Sequence, residues 1–190
     1  VSTIMGIDLS LTATGVALIE DREAVATGRV QTKGKKTDTI WQRQARLAAI
    51  ADDVMRYAIK WHPELVVIEA PSYGSVHGAQ HDRSGLWWLV VQALAELDFP
   101  FTIVAPQARA KYGTGKGNAA KAIVLAAVLE RFKGEDLFIP DDNVADALLL
   151  ASMGSRLLGE PLFVERDIAA KCLEAMTSVE LPLIEIGVAA

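Results

Sequence analysis

Cysteine is nearly absent from this chain. The single Cys172 excludes an internal disulfide and a zinc site built from cysteines, and it fits a reducing cytoplasm. Long apolar runs are missing too: no stretch approaches the roughly 20 residues of a membrane helix. The N-terminus lacks the layout of a signal peptide. Neither an internal repeat nor a low-complexity tract interrupts the 190 residues. That length suits one domain, residues 1–158, with a C-terminal extension, residues 159–190. A hydrophobic fraction of 51% supplies a real core and argues against disorder. The most telling shortage is local: no Lys or Arg lies within four positions of Asp8 or Glu69.

Charge is unevenly placed. The net charge of -5 argues mildly against a nucleic-acid partner. Yet Arg29, Lys33, Lys35, Lys36, Arg43 and Arg46 cluster between residues 28 and 47 against the lone acid Asp38. Arg109, Lys111, Lys116 and Lys121 fall between residues 105 and 125 with no acid at all. The acids gather in the tail after Leu158, so basic loops can present a positive face to phosphates. Ordinary solvated surface charge is the competing explanation.

Apolar runs of four to eight residues read as strands buried on both faces. Thr3–Ser10, Ala13–Glu20 and Ala24–Gln31 are joined by short polar links, which favour an antiparallel meander. A long helix follows over Thr37–Trp61, capped by Thr37 or Asp38 and closed by Pro63. Glu64–Ala70 is a strand parallel to the first, Pro71–Arg83 a loop, Ser84–Leu97 a helix and Phe101–Ala105 a strand. A Gly-rich loop, Tyr112–Gly117, opens a helix from Asn118 to Phe132. Asp141 or Asp142 caps a helix ending near Leu157, and a weaker helical signal covers Arg166–Thr177. The fold class is α/β, with a mixed five-stranded sheet whose first and fourth strands are central neighbours.

Three acids stand at the ends of these apolar elements. Asp8 ends Ile4-Met5-Gly6-Ile7, Glu69 ends Leu65-Val66-Val67-Ile68, and Asp146 interrupts Val144-Ala145 and Ala147-Leu148. An isolated buried charge is prohibitively costly, so each acid needs a partner or a proton. With no basic residue nearby in sequence, a divalent cation is the economical partner, since it takes several carboxylate oxygens at once. Asp142, four residues before Asp146, shares its helix face. Such a set suits two Mg²⁺ or Mn²⁺ ions and phosphodiester hydrolysis. The competing structural roles are specific. Asp8 can serve as a turn residue, Glu69 can pair with a distant arginine, and Asp142 can cap its helix. Any of the three pointing away from the others, or neutralised by an arginine, would end the nuclease case.

At these residues the chain resembles the RuvC-type Holliday junction resolvases of the RNase H-like superfamily. The matches are Gly6-Ile7-Asp8-Leu9-Ser10 with Thr14-Gly15, Val67-Ile68-Glu69, Gly115-Lys116-Gly117-Asn118-Ala119-Ala120-Lys121, and Val144-Ala145-Asp146-Ala147-Leu148. They span roughly residues 4–155 in family order, and the compact sequence is similar to a bacteriophage version, which would act in the host cytoplasm. The resemblance implies an RNase H-like fold with helices on both faces of the sheet. It also implies Mg²⁺- or Mn²⁺-dependent cleavage, and a homodimer that nicks two opposed strands of a four-way DNA junction. Asp8, Glu69 and Asp146 match the catalytic metal-binding acids. The family's fourth ligand falls at Asn143, a departure that leaves either Asn143 or the adjacent Asp142 for that place. Lys121 and Lys116 would flank the scissile strand with Lys111 and Arg109 behind them, and Lys33, Lys35 and Lys36 would add DNA contacts. Tyr73 stands one position beyond the family's junction-wedging aromatic. The helix around Leu86–Val91 matches the family's dimer surface, and Trp87 and Trp88 point in different directions on it.

Other residues carry less. His77 and His81 have the spacing of a helical metal pair, but Gly78 argues against a helix there. His62 before Pro63 is structural. Rival functions are a nuclease for forks, flaps or structured RNA and, from another class, an actin-like nucleotide-binding protein echoed by Gly6-Ile7-Asp8-Leu9. A non-catalytic DNA-binding relic is the last.

Overall fold

The computed structural model describes residues 2–71 and 79–182. Five strands form one sheet: β1 (Thr3–Asp8), β2 (Ala13–Glu20), β3 (Glu23–Gln31), β4 (Leu65–Glu69) and β5 (Phe101–Val104), in the order β3-β2-β1-β4-β5. The first three strands are antiparallel, and β4 and β5 run parallel to β1. The expected sheet is the observed one, with strand ends within two residues of those read from the sequence. Among the described residues six helices cover it: α1 (Ile40–Trp61), α2 (Gln80–Glu96), α3 (Pro106–Thr114), α4 (Lys121–Arg131), α5 (Asp142–Leu157) and the short α6 (Ala170–Leu173).

Strand alternation sorts the core into two layers. Met5, Ile7, Val66 and Ile68 pack against α1 and α2. Ile4, Leu65 and Val67 face the other way, onto α3, α4 and α5. Asp8 and Glu69 continue the second series by parity, so both acids belong to the α5 side of the sheet. α5 approaches unusually closely because its contact positions are small. A β-carbon on Gly6 would lie 2.0 Å from the Ala147 carbonyl oxygen and 2.5 Å from the Ala151 amide nitrogen. One on Gly15 would lie 2.1 Å from the Asn143 carbonyl oxygen.

The helix starts correct several expectations. α1 is capped by Thr39, whose hydroxyl accepts from the Gln42 amide at 3.3 Å while Gln42 Oε1 accepts from the Thr39 amide at 2.9 Å. This reciprocal capping box satisfies two amides together, an advantage neither Thr37 nor Asp38 offers. At its far end His62 takes a left-handed conformation, φ 45°, before Pro63. α2 begins at Gln80, inside the expected loop, and His81 lies exposed in its first turn. α3 was not anticipated. Its local signals are Pro106 at the first turn and Gly115 just past the end at φ 76°, the usual asymmetry of helix ends. α4 starts at Lys121 and not Asn118, because Gly115–Ala120 is spent on the turn between the two helices.

The tail after Leu158 is not one helix but short pieces: a 3₁₀ turn at Phe163–Glu165, α6, and a second 3₁₀ turn at Glu174–Ser178. A buried charge network docks it. Glu165 accepts from the Tyr112 hydroxyl at 2.5 Å and pairs with Arg131 at 2.9 Å and Arg156 at 3.8 Å. Burial, with the Glu165 charge, pushes the Tyr112 hydroxyl well above its ordinary range, so it remains a donor. Thr102 adds a hydrogen bond to the Glu180 carbonyl at 2.6 Å. Truncating Glu165 to Ala strands two arginines and a phenol in the interior. It is expected to cost about 3 kcal/mol in a denaturant titration.

Candidate active site

The sheet ends bring the acids together. β1 and β4 pair in parallel as far as Ile7 opposite Ile68, one residue before Asp8 and Glu69. α5, seated on Gly6 and Gly15, delivers Asp146 to the same place. Asp8 is 8% exposed and Asp146 2%. Neither a hydrogen bond nor an ion pair to the Asp8 carboxylate exists among the described residues. The turn after β1 does not depend on Asp8. Thr14 closes it by accepting from the Ser10 amide at 3.0 Å and donating to the Ser10 carbonyl at 2.9 Å. The turn-residue explanation of Asp8 therefore fails.

Arg109 was expected on the DNA-contacting surface, and the structure puts it elsewhere. It is 7% exposed, held on α3, and its guanidinium lies between two of the acids. Nε donates to Glu69 at 2.5 Å and Nη1 donates to Asp146. So the distant-arginine partner considered for Glu69 is present, and among the described residues no three acids stand ready to hold a metal ion as they are. Sequence distance concealed this: position 109 is 40 residues from Glu69 and 37 from Asp146.

The electrostatics follow the burial. Desolvation, reinforced by Glu69 and Asp146, holds the Asp8 carboxyl well above the usual carboxylate range. Desolvation also pushes Asp146 up to about 7, opposed by Arg109 and aided by Glu69. Burial works to lower the Arg109 guanidinium, but its hydrogen bond to Glu69 and the surrounding acids win and raise it. A carboxyl raised on folding binds protons that the unfolded chain has released, and its contribution is lost as pH climbs through the folded value. In metal-free buffer, stability should therefore fall as pH rises from about 4 to about 7. Denaturant midpoints across that range measure it.

A cavity of about 540 Å³ opens beside these acids, lined among others by Asp8, Ser10, Glu69, Gln80, Arg83 and Trp88. The Trp87 indole donates to the Glu69 carbonyl at 2.9 Å and so pins the end of β4 to α2.

The family model for "Crossover junction endodeoxyribonuclease RuvC" matches residues 4–153, most of the chain and all of this site. The chain belongs to the RuvC family. Solved structures agree on the fold. Thermus thermophilus RuvC has a TM-score of 0.65 at 20% identity, over 83% of this chain and 97% of that one. The same organism's RuvC in complex with a Holliday junction substrate has a TM-score of 0.65 at 19% identity, over 96% and 100%. Fowlpox virus resolvase with its Holliday junction DNA has a TM-score of 0.54 at 13% identity, over 82% and 98%. No match is found among curated proteins by sequence. The RNase H-like architecture read from the motifs is that of RuvC.

Other residues expected from the RuvC motifs lie in different surroundings. Asp142 and Lys121 meet at 2.6 Å, and this hydrogen bond holds Asp142 below the usual carboxylate range. Asp142 is free for that contact because Asp141, not Asp142, caps α5, accepting from the Val144 amide at 3.1 Å. Asn143 presses its backbone carbonyl over Gly15. Lys116, Lys33, Lys35 and Lys36 are exposed. Lys33 borders a groove shared with Arg29, Thr32 and Asp141. Lys111, however, pairs with Glu174 of the tail at 2.8 Å and braces α3. Tyr73 and His77 lie outside the described residues.

The surface expected for dimerisation narrows considerably. Leu86, Trp87, Val90 and Val91 are buried in the protein's own core, because α2 turns that face toward α1 and the sheet. Trp88, 64% exposed, and its neighbour Leu89 remain outside. Among the described residues no helix is long and apolar enough to cross a membrane.

Proposed function

We propose that this RuvC-family chain resolves four-way DNA junctions by nicking opposed strands, leaving 5′-phosphate and 3′-hydroxyl ends. The observation that carries the reading is Asp8: a buried carboxylate with no hydrogen-bond or ion-pair partner among the described residues, facing a cleft at the central strand ends beside Glu69 and Asp146. A divalent cation fits that residue set. Of the four carboxylates Asp8, Glu69, Asp142 and Asp146, the last three are ion-paired with Arg109 or Lys121, and Asp8 has no ion pair among the described residues. When bound, Mg²⁺ or Mn²⁺, two per site at full occupancy, lowers the pKa of a coordinated water and offsets charge on the phosphate. Asp8, Glu69 and Asp146 would hold it, with Asp142 or Asn143 completing the set.

The remaining steps belong to the chain. Lys121 stands at the start of α4, whose first amides have no side-chain cap. Together they suit a phosphate oxygen, where a fixed positive charge stabilises the transition state. Lys116 and the Lys33, Lys35 and Lys36 loop meet neighbouring phosphates. A second copy docking through Trp88 and Leu89 supplies the second nick.

The test is incubation of the purified protein with end-labelled synthetic junctions, with and without Mg²⁺ or Mn²⁺. A fork and a structured RNA of equal length serve as competitors. Metal-dependent, symmetrically paired nicks in the junction are expected. Equal cleavage of fork or RNA would assign a broader structure-selective nuclease, and no metal-dependent cleavage would end the proposal.

A further inference from the structure

We infer that Arg109 is an internal counter-cation of the acidic cleft, competing with a divalent ion for Glu69 and Asp146 and so making the site fill in two unequal steps. This rests on the proposed metal-dependent nuclease reading and adds to it how the cleft controls its own loading.

Three observations carry the inference. Arg109 is buried and directs two separate nitrogens at two separate acids, Nε at Glu69 and Nη1 at Asp146. A planar guanidinium suits such a bridge, and a lysine's point charge does not. Its helix is anchored just after the contact, on the C-terminal side. Lys111 pairs with Glu174, and Tyr112 donates to the buried Glu165. Arg109 is thus held where it is by the tail, not drawn in by chance from solvent.

The third observation is the asymmetry of the cleft. Asp146 and Glu69 share Arg109, Asp142 has Lys121, and Asp8 has neither hydrogen bond nor ion pair among the described residues. Arg109 and Lys121 are paired with three of the four carboxylates, and Arg83 also lies on the cleft wall. A divalent ion meets an unpaired carboxylate at Asp8 but must displace Arg109 to reach Glu69 and Asp146. Buried charge tolerates little imbalance, so this pairing sets the order of filling. The Asp8 side fills first and the Arg109 side later, against competition. Without metal, Arg109 keeps Glu69 and Asp146 from repelling one another.

The experiment is calorimetric titration of Mn²⁺ into the metal-free full chain, run on the original protein, Arg109→Gln, Arg109→Lys and Asp8→Asn, with thermal unfolding in EDTA alongside. The original protein should show a tighter and a weaker phase. Arg109→Gln should tighten the weaker phase about tenfold or more, because the competing cation is gone. It should also melt lower in EDTA and gain more from Mn²⁺. Arg109→Lys keeps the charge but loses the bridge, and should fall between. Should Arg109→Gln fold only when Mn²⁺ is added, that rescue supports the inference, and Arg109→Lys then supplies the affinities. Mn²⁺ binding that Asp8→Asn weakens but neither Arg109 variant tightens would overturn the counter-cation and leave the nuclease reading standing. No Mn²⁺ binding in any protein would overturn both.

Discussion

Asp8→Asn should lower junction cleavage more than about 100-fold while junction binding survives. The floor on that figure comes from metal sites elsewhere, where losing only an outer partner of a ligand costs about 10–100-fold. Loss of a ligand itself must exceed it. Binding should survive because Asn keeps the shape of Asp and removes a negative charge from a cleft that receives phosphates. No existing contact is broken, since the carboxylate has no hydrogen-bond or ion-pair partner among the described residues. The variant should even be slightly more stable without metal, because a desolvated acid has been neutralised. Single-turnover cleavage in Mg²⁺ and gel-shift titration in Ca²⁺ separate the two effects. Full Mg²⁺-dependent cleavage by Asp8→Asn would remove Asp8 from the site.

Gly6→Ala should be the most damaging single methyl added to the described fold. The new carbon would sit 2.0 Å from a backbone oxygen and 2.5 Å from a backbone nitrogen of α5. Neither can swing aside as a side-chain tip would, so α5 must lift from β1 along its length. Overpacking of this kind costs about 3 kcal/mol. The same displacement withdraws Asp146 from Glu69 and Arg109, so activity should fall with stability. Gly85→Ala is the matched control. It lies within α2, and its added carbon would meet only Leu47 Cδ1 at 3.5 Å, an ordinary contact. Helix propensity then favours Ala by about 1 kcal/mol. Equal denaturation midpoints for the two variants would show that the α5 contact is not as tight as described.

The strands and the position of the acids were legible because both depend on short-range pattern. Ile4-Met5-Gly6-Ile7 and Leu65-Val66-Val67-Ile68 are apolar on both faces, which only a central strand tolerates, and the two are hydrogen-bonded neighbours. Parity then assigns Asp8 and Glu69 to one face. α3 escaped notice because Ala108, Arg109 and Ala110 are all buried and show no polar–apolar rhythm. Its end signals, Pro106 and Gly115, were the readable trace. The expected dimer face narrowed to Trp88 and Leu89 for a related reason: a helix with bulky residues most of the way round does not declare which side its own core uses.

The expectation that an arginine among the acids would exclude a nuclease also failed. It treated neutralisation as permanent, whereas an ion pair in a cleft open to solvent competes with any cation that reaches it. RuvC membership rests on the match across residues 4–153 and does not depend on the pairing of Glu69.

The order of the strands, their burial and the three acids Asp8, Glu69 and Asp146 were determined by the amino-acid sequence alone, since hydrophobic periodicity and strand parity act over a few residues. Only the tertiary structure decided which cation meets which acid: Arg109 with Glu69 and Asp146, Lys121 with Asp142, and none among the described residues in an ion pair with Asp8. Charge pairing acts across space between residues tens of positions apart, and it is settled by how closely α3 and α5 pack on the sheet.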